Sequence, residues 1–456
     1  MLTPKLQMLQ DALKRLIRRQ AAGPLEKVLA KTHAADLAYL LPHFSTHERK
    51  LMFERSSDDE RRAQILSEAD SDVAAQVLEA LPRDLAVELL HRMEPDDVSD
   101  LLEHLAQELA DELLERMRAA DRSQVEDLSR YDSATAGGIM SPRFFALHRD
   151  TSAKDAIEAL HHADADVEMA FYVYVVNEAE QLLGVVSLRQ LVTSKPESTL
   201  FDVMTSDLIR VTTDVDQEEV AKLASRYGLL AIPVINGSNR LVGIVTIDDV
   251  IDVLREEATE DILRMAGAGD DLADQKAVLT SALKRLPWLL ATGVGGVLGA
   301  VLIAAYSATL VTVPALIYFL PVVLGLAGVI GVQGAAFITQ SIAQGRMDLA
   351  SLGKVFLRQV ASGLLLGSLF GALMAAFAWV WLLGGQPEAS ITAAVVLGGA
   401  IAAAMTSAAA LGVVMPFLLI KIRVDPALAS GPFVAIGADL VGLATYLIVA
   451  GTYFNR

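Results

Sequence analysis

Two groups of carboxylates in this sequence stand where carboxylates need a physical reason. The first is a single residue, Asp439, in the run 431–453, which is otherwise apolar or small enough to cross a bilayer. At ~1.5 Å per residue it lies ~12 Å in from the start of that run. An isolated carboxylate at such depth costs roughly 2.5–3.5 kcal/mol on insertion scales, so it should face water, a cation or a protein cavity. Two readings follow: a cation site in a pore, or a protonated acid hydrogen-bonded to a neighbouring helix. The second group is Asp249, Asp252, Glu256, Glu257, Glu260 and Asp261, within thirteen positions. Asp249 with Asp252, and Glu257 with Glu260 and Asp261, are spaced to share a helix face. Carboxylates so placed repel unless cations sit between them. Clustered oxygens suit hard divalent ions such as Mg2+, with several waters retained. The plainer alternative is a solvated acidic face.

The elements that carry these residues differ sharply in composition. The chain has 456 residues and a mean hydropathy of +0.41, too apolar for a soluble protein of this length. Residues 287–456 contain six Lys or Arg and four acids, so the net charge of −18 arises entirely from residues 1–286, which carry −20. A strongly acidic first half argues against nucleic acid as a partner and for cations. Without cysteine there is no disulfide framework and no thiolate metal site. The opening MLTPKLQMLQDALKRLIRRQ reads as a charged amphipathic helix, so no cleaved signal peptide is expected. All eight His lie before residue 163, and neither HExxH nor GxSxG occurs in the apolar half, which argues against an intramembrane enzyme.

Residues 1–131 show apolar positions at i, i+3 and i+4 in HAADLAYLLPHF, SDVAAQVLEALP and RDLAVELLHRMEP, broken by Pro42, Pro82 and Pro95. Short helices with similar start and stop signals suggest a helical superhelix, with an ordinary bundle as the alternative. Residues 132–263 repeat internally: 139–160 matches 203–224, and a β-branched run follows each. Each copy (about 137–200 and 201–263) reads as strand, helix, strand, turn, strand, helix, with Asn177 and Asn236-Gly237 marking the turns. This pattern resembles a tandem pair of CBS domains, through GVVS at 184–187 and GIVT at 243–246. The resemblance implies a ligand-sensing pair, often for adenine nucleotides such as ATP, held by a Ser or Thr with an acid three residues on. Thr246 and Asp249 fit that pattern, whereas Gln190 replaces the acid in the first copy. One nucleotide site and a pair with no nucleotide both remain open.

A polar connecting helix is expected over 264–286, and five apolar segments follow at 287–309, 312–342, 358–385, 391–420 and 431–453. Arg346, Lys354, Arg358, Lys421 and Arg423 fall after the second and fourth segments, with Lys284 and Arg285 before the first. By the positive-inside rule the N-terminal half is cytoplasmic and 287–456 is a multi-pass domain of an inner cell membrane. The predicted fold is a multidomain membrane protein: an all-α superhelical N domain, an α+β tandem pair, a connecting helix and a five-helix transmembrane domain.

Taken together, YDSATAGGIMS (131–141), the tandem pair, EEATEDI and DPALASGPF followed by Asp439 resemble the MgtE family of magnesium channels and transporters, and the likeness covers nearly the whole chain. The resemblance implies a homodimer in the lipid bilayer with an ion path lined by the second and fifth membrane helices. It implies that Asp439 holds a hydrated Mg2+ in the pore. It places Asp249, Asp252, Glu257, Glu260 and Asp261, with Asp425 in a cytoplasmic loop, at an interface where intracellular Mg2+ closes the gate; Asp97, or Asp96 beside it, is the contributor from the N domain. This chain departs from the pattern in its second membrane segment, where Ala327-Gly328-Val329 stands for the family's Gly-Gly-Asn while Gly331 and Gln333 remain. With fewer polar side chains along the path, a carrier or channel for Co2+, Mn2+ or another divalent ion is the alternative. A non-conducting ion sensor is the remoter one.

Overall fold

The structure, a computed structural model, describes residues 3–56, 58–162, 171–265, 278–343, 352–381, 387–422 and 431–454. Backbone contacts divide it into two units, Met1–Arg255 and Glu256–Arg456.

The first unit opens with helices α1 (Pro4–Arg18), α2 (Ala22–Lys31), α3 (Ala34–Leu40), α4 (Thr46–Arg55), α5 (Asp59–Ser67), α6 (Ser71–Ala80), α7 (Arg83–Leu90), α8 (Pro95–Glu103), α9 (Gln107–Arg116) and α10 (Ala119–Leu128). Their starts follow from local chemistry. Ser45 and Glu48 close a capping box on α4, the Asp58 carboxylate accepts from the Arg61 amide, and Pro95 occupies the first position of α8, where no amide hydrogen is missed. Each helix from α1 to α8 packs on the next but one, so the array winds as a superhelix instead of closing into a bundle. Leu37, Leu78, Leu89 and Leu113 are fully enclosed in its single core. Arg49 is buried and ties α4 to its neighbours through Nε to the Leu41 carbonyl (2.8 Å) and Nη1 to Gln76 Oε1 (2.9 Å).

Two three-stranded sheets follow. The first repeat contains β1 (Ala146–His148), α11 (Ala153–His162), β2 (Tyr172–Val176), β3 (Leu182–Ser187), α12 (Leu188–Thr193) and α13 (Leu200–Val203). The second contains β4 (Val211–Thr212), α14 (Gln217–Tyr227), β5 (Ala231–Ile235), β6 (Leu241–Thr246) and α15 (Ile247–Met265). In each sheet the first strand pairs in parallel with the second, and the second antiparallel with the third. The turns differ from a two-residue Asn-Gly hairpin. Asn177 Oδ1 accepts from the amides of Ala179 and Gln181, and Asn236 Oδ1 from those of Ser238 and Arg240. The left-handed residues are Glu180 (φ 57°) and Asn239 (φ 60°), not Gly237. The two turns also hold each other: the Leu182 amide donates to the Asn239 carbonyl, the Leu241 amide to the Glu180 carbonyl, and Arg240 pairs with Glu180.

The helix α15 runs on past Arg255 to Met265, so its last residues belong to the second unit. That unit continues with α16 (Val278–Ala305), α17 (Ser307–Thr312), α18 (Ala315–Tyr318), α19 (Leu320–Ala343), α20 (Leu352–Trp381), α21 (Pro387–Lys421) and α22 (Pro432–Phe454). Five of these helices are long and apolar enough to cross a membrane, with spans at Arg285–Ala305, Leu320–Ile342, Gly353–Trp381, Ile391–Lys421 and Pro432–Phe454. The second span starts at Leu320, later than the expected 312. Pro314 lacks an amide to continue a helix, so α17 and α18 fill the interval, and Pro321 sits in the first turn of α19. Helices approach closely where side chains are small: Gly363, Gly367 and Gly371 of α20 lie against Ala409, Ala402 and Gly398 of α21. Tyr446 is buried and its hydroxyl donates to the Leu316 carbonyl at 3.0 Å, tying α18 to α22.

Candidate functional site

Asp439 lies on α22 where that helix crosses α19, and the contact is made by small residues on both sides. A methyl carbon built on Gly331 would fall 2.5 Å from Ala438 Cβ, and one built on Gly442 would fall 2.5 Å from Ala327 Cβ. Four residues back on α19 therefore match four residues forward on α22, and the two helices run antiparallel. Between these contacts, a methyl on Gly328 would lie only 2.7 Å from Asp439 Oδ1. Oδ1 is buried and has no hydrogen-bond partner among the described residues. No hydrogen bond from Oδ1 to a neighbouring helix, the plainer of the two readings of Asp439, is present among the described residues.

The opposite face of α19 is open on the single chain, with Gly325, Val329, Gln333 and Gln340 all exposed. Val329, at the position of the family's Asn, is 56 % exposed. A glutamine amide is costly against lipid, so this face suits a water-filled path or a second chain better than acyl tails.

The acids read as regulatory are distributed along helices. At the start of α15 the Thr246 hydroxyl donates to Asp249 Oδ2, and the Thr246 amide reaches the same oxygen at 3.2 Å. Ser187 and Gln190 form the equivalent box on α12. The Ser/Thr-x-x-acid spacing is thus first a helix-start device, and any ligand at Asp249 must share its carboxylate with the cap. Further along α15, Asp252 pairs with Arg255 at 3.3 Å and Glu260 pairs with Arg264, while Glu257 and Asp261 are half-buried. In the first turn of α8, Asp96 is buried and Asp97 half-buried, where a carboxylate complements the helix dipole. Asp425 lies outside the described residues. Among the described residues no three His, Asp or Glu side chains converge as a ready metal site.

Sequence reasoning missed three features here. Gly328 was visible only as part of a departure from a motif; its role depends on what faces it across the helix pair. Tyr446 could have been found, since it is a hydroxyl two turns beyond Asp439 in an apolar run. The contact of Ser407 with Thr445, 3.0 Å between α21 and α22, carries no sequence signal beyond two small polar residues.

Comparison with known proteins agrees with this architecture along its length. Residues 320–449 match a family described as a divalent cation transporter. Residues 32–134 match the MgtE intracellular N domain, and 136–197 and 200–256 match CBS domains. The magnesium transporter MgtE of Thermus thermophilus is 37% identical over 332 residues, 72% of each chain. That of Bacillus subtilis is 33% identical over 369 residues, 80% of each chain. Among solved structures, the cytosolic domain of the Mg2+ channel MgtE in complex with ATP is similar with a TM-score of 0.51 at 32% identity, covering 54% of this chain and 99% of that one. The soluble part of a magnesium transporter is similar with a TM-score of 0.50 at 25% identity, covering 56% and 99%. The two magnesium transporters are transport proteins rather than enzymes, and the family matches extend from the helical N domain through the CBS pair to the membrane helices. The chain belongs to the MgtE family of membrane-embedded divalent cation transporters.

Proposed function

We propose that this protein is a Mg2+-selective channel for magnesium uptake, closed by cytosolic Mg2+ bound at its acidic first half. The observation that carries the reading is Asp439, the one carboxylate within the five candidate spans, seated at the crossing of α19 and α22. Mg2+ gives up its waters reluctantly, so a lone carboxylate contacting a hydrated ion is a sensible pore ligand. Inward flux is driven by the membrane potential, worth roughly 2.3 kcal/mol per charge per 100 mV, and needs no ATP hydrolysis. The working form is a homodimer in an inner cell membrane with residues 1–286 in the cytoplasm, as the placement of the basic loops supports. The divisions 1–131, 132–263, 264–286 and 287–456 then serve as N domain, CBS pair, connecting helix and pore domain. Asp97, Asp249, Asp252, Glu257, Glu260, Asp261 and Asp425 are the regulatory ligands. A second reading, a carrier or channel for Co2+ or Mn2+, draws on Val329 in place of an Asn on the open face of α19. Divalent uptake into liposomes, with the competing ion and the internal Mg2+ varied separately, tests both: inhibition of flux by internal Mg2+ is the expected result.

ATP is the proposed ligand of the CBS pair, through Thr246 and Asp249. Asp249→Asn, which keeps a side-chain oxygen to accept from the Thr246 amide, should lose ATP binding in calorimetry while the protein stays folded. If the wild type gives no heat with ATP, with or without Mg2+, the nucleotide role is discarded.

A further inference from the structure

We propose that Gly328 is a positioning residue for transport: its missing side chain is the seat of the Asp439 carboxylate, and it turns a single oxygen toward the ion path. The inference rests on Asp439 as the pore ligand and adds what holds that ligand. Oδ1 lies where a Gly328 methyl carbon would stand 2.7 Å away, closer than any ordinary contact allows. The same oxygen is enclosed and has no hydrogen-bond partner among the described residues, while Asp439 as a whole is only half-buried. The carboxylate is therefore held by shape and not by a donor: one oxygen rests on the α19 backbone and the other remains for water or a hydrated cation. A ligand fixed in this way presents one acceptor in one place, as an ion that keeps its own water shell requires. On either side the helix pair is held close by Gly331 against Ala438 and by Ala327 against Gly442, which fixes the backbone of Asp439 against Gly328.

The test uses the full chain in detergent and in liposomes. Gly328→Ala should lower Mg2+ flux by about tenfold or more and raise the half-saturating Mg2+ concentration, since displacement by an ångström or so is costly at a reacting or binding centre. A purely structural glycine would also lower flux, so stability supplies the discriminating measurement. Gly328→Ala should lower the melting temperature by several degrees in the wild-type background and by much less in the Asp439→Ala background, where no carboxylate meets the new methyl group. Gly331→Ala, which meets Ala438 instead, should cost the same in both backgrounds. Equal destabilisation by Gly328→Ala with and without the carboxylate would overturn the seat, as would Gly328→Ala flux and half-saturation equal to wild type. Failure of the pore assignment reads out differently: Asp439→Ala would then transport normally whatever the stability cycle gives.

Discussion

Asp439→Ala should abolish divalent flux in liposomes to at least about one part in a hundred while the protein remains folded and assembled. The size follows from the charges. A divalent cation and a carboxylate about 5 Å apart, with water between them, attract by roughly 2 kcal/mol at bulk-water screening and by roughly 7 kcal/mol at an effective dielectric of 20. The crossing of α19 and α22 is lined by glycine, alanine and valine, with no second carboxylate in any of the five spans to compensate. Asp439→Asn keeps the shape and removes the charge, so a defect nearly as severe assigns the effect to electrostatics. Wild-type flux in either variant would leave the pore without its ligand.

Joint neutralisation of Glu257, Glu260 and Asp261 to Gln and Asn should give channels that conduct at internal Mg2+ concentrations that close the wild type. Moving a gate from 1:99 to 99:1 needs roughly 5.5 kcal/mol of differential binding, more than one exposed, water-screened site supplies. All three acids lie on the last three turns of α15, and Glu260 already shares its charge with Arg264. On the proposed reading, these carboxylates repel along the helix without Mg2+, and Mg2+ bound among them would shift the population toward the closed form. Limited proteolysis gives an independent readout: millimolar Mg2+ should protect the wild type near Tyr131 and along α15, and should protect the triple variant much less. Identical cleavage with and without Mg2+ in the wild type, together with flux indifferent to internal Mg2+, would leave an ungated pore.

The parts of the fold that were legible in the sequence are those written in periodicity. The superhelix is encoded in short runs whose apolar positions repeat every three or four residues, and the CBS sheets in a β-branched run repeated in each copy. The turn geometry was less legible. An Asn-Gly pair ordinarily signals a two-residue hairpin, but at Asn236 the side chain captures two downstream amides and moves the left-handed residue to Asn239. The start of the second span was displaced for a similar reason, because hydropathy counts Pro314 as nearly neutral although it interrupts the helix, and the span begins at Leu320. Within the site, Asp439 was conspicuous as a lone charge, whereas Gly328 was not: its meaning lies in an antiparallel register between residues more than a hundred positions apart. Thr246 and Asp249 were legible as a pair but ambiguous in purpose, since the spacing that can hold a ribose is also the spacing of a capping box.

The reciprocal bonds between the two CBS turns have a consequence for how this region opens. Leu182 depends for its amide bond on the carbonyl of Asn239, and Leu241 on that of Glu180. Neither repeat can release its turn without stripping an amide from the other, so the duplicated halves form one cooperative unfolding unit despite having separate sheets. In native-state hydrogen exchange, Leu182 and Leu241 should accordingly exchange at a common opening free energy. Asn239→Gly should accelerate both amides, although only one of them lies in the altered repeat.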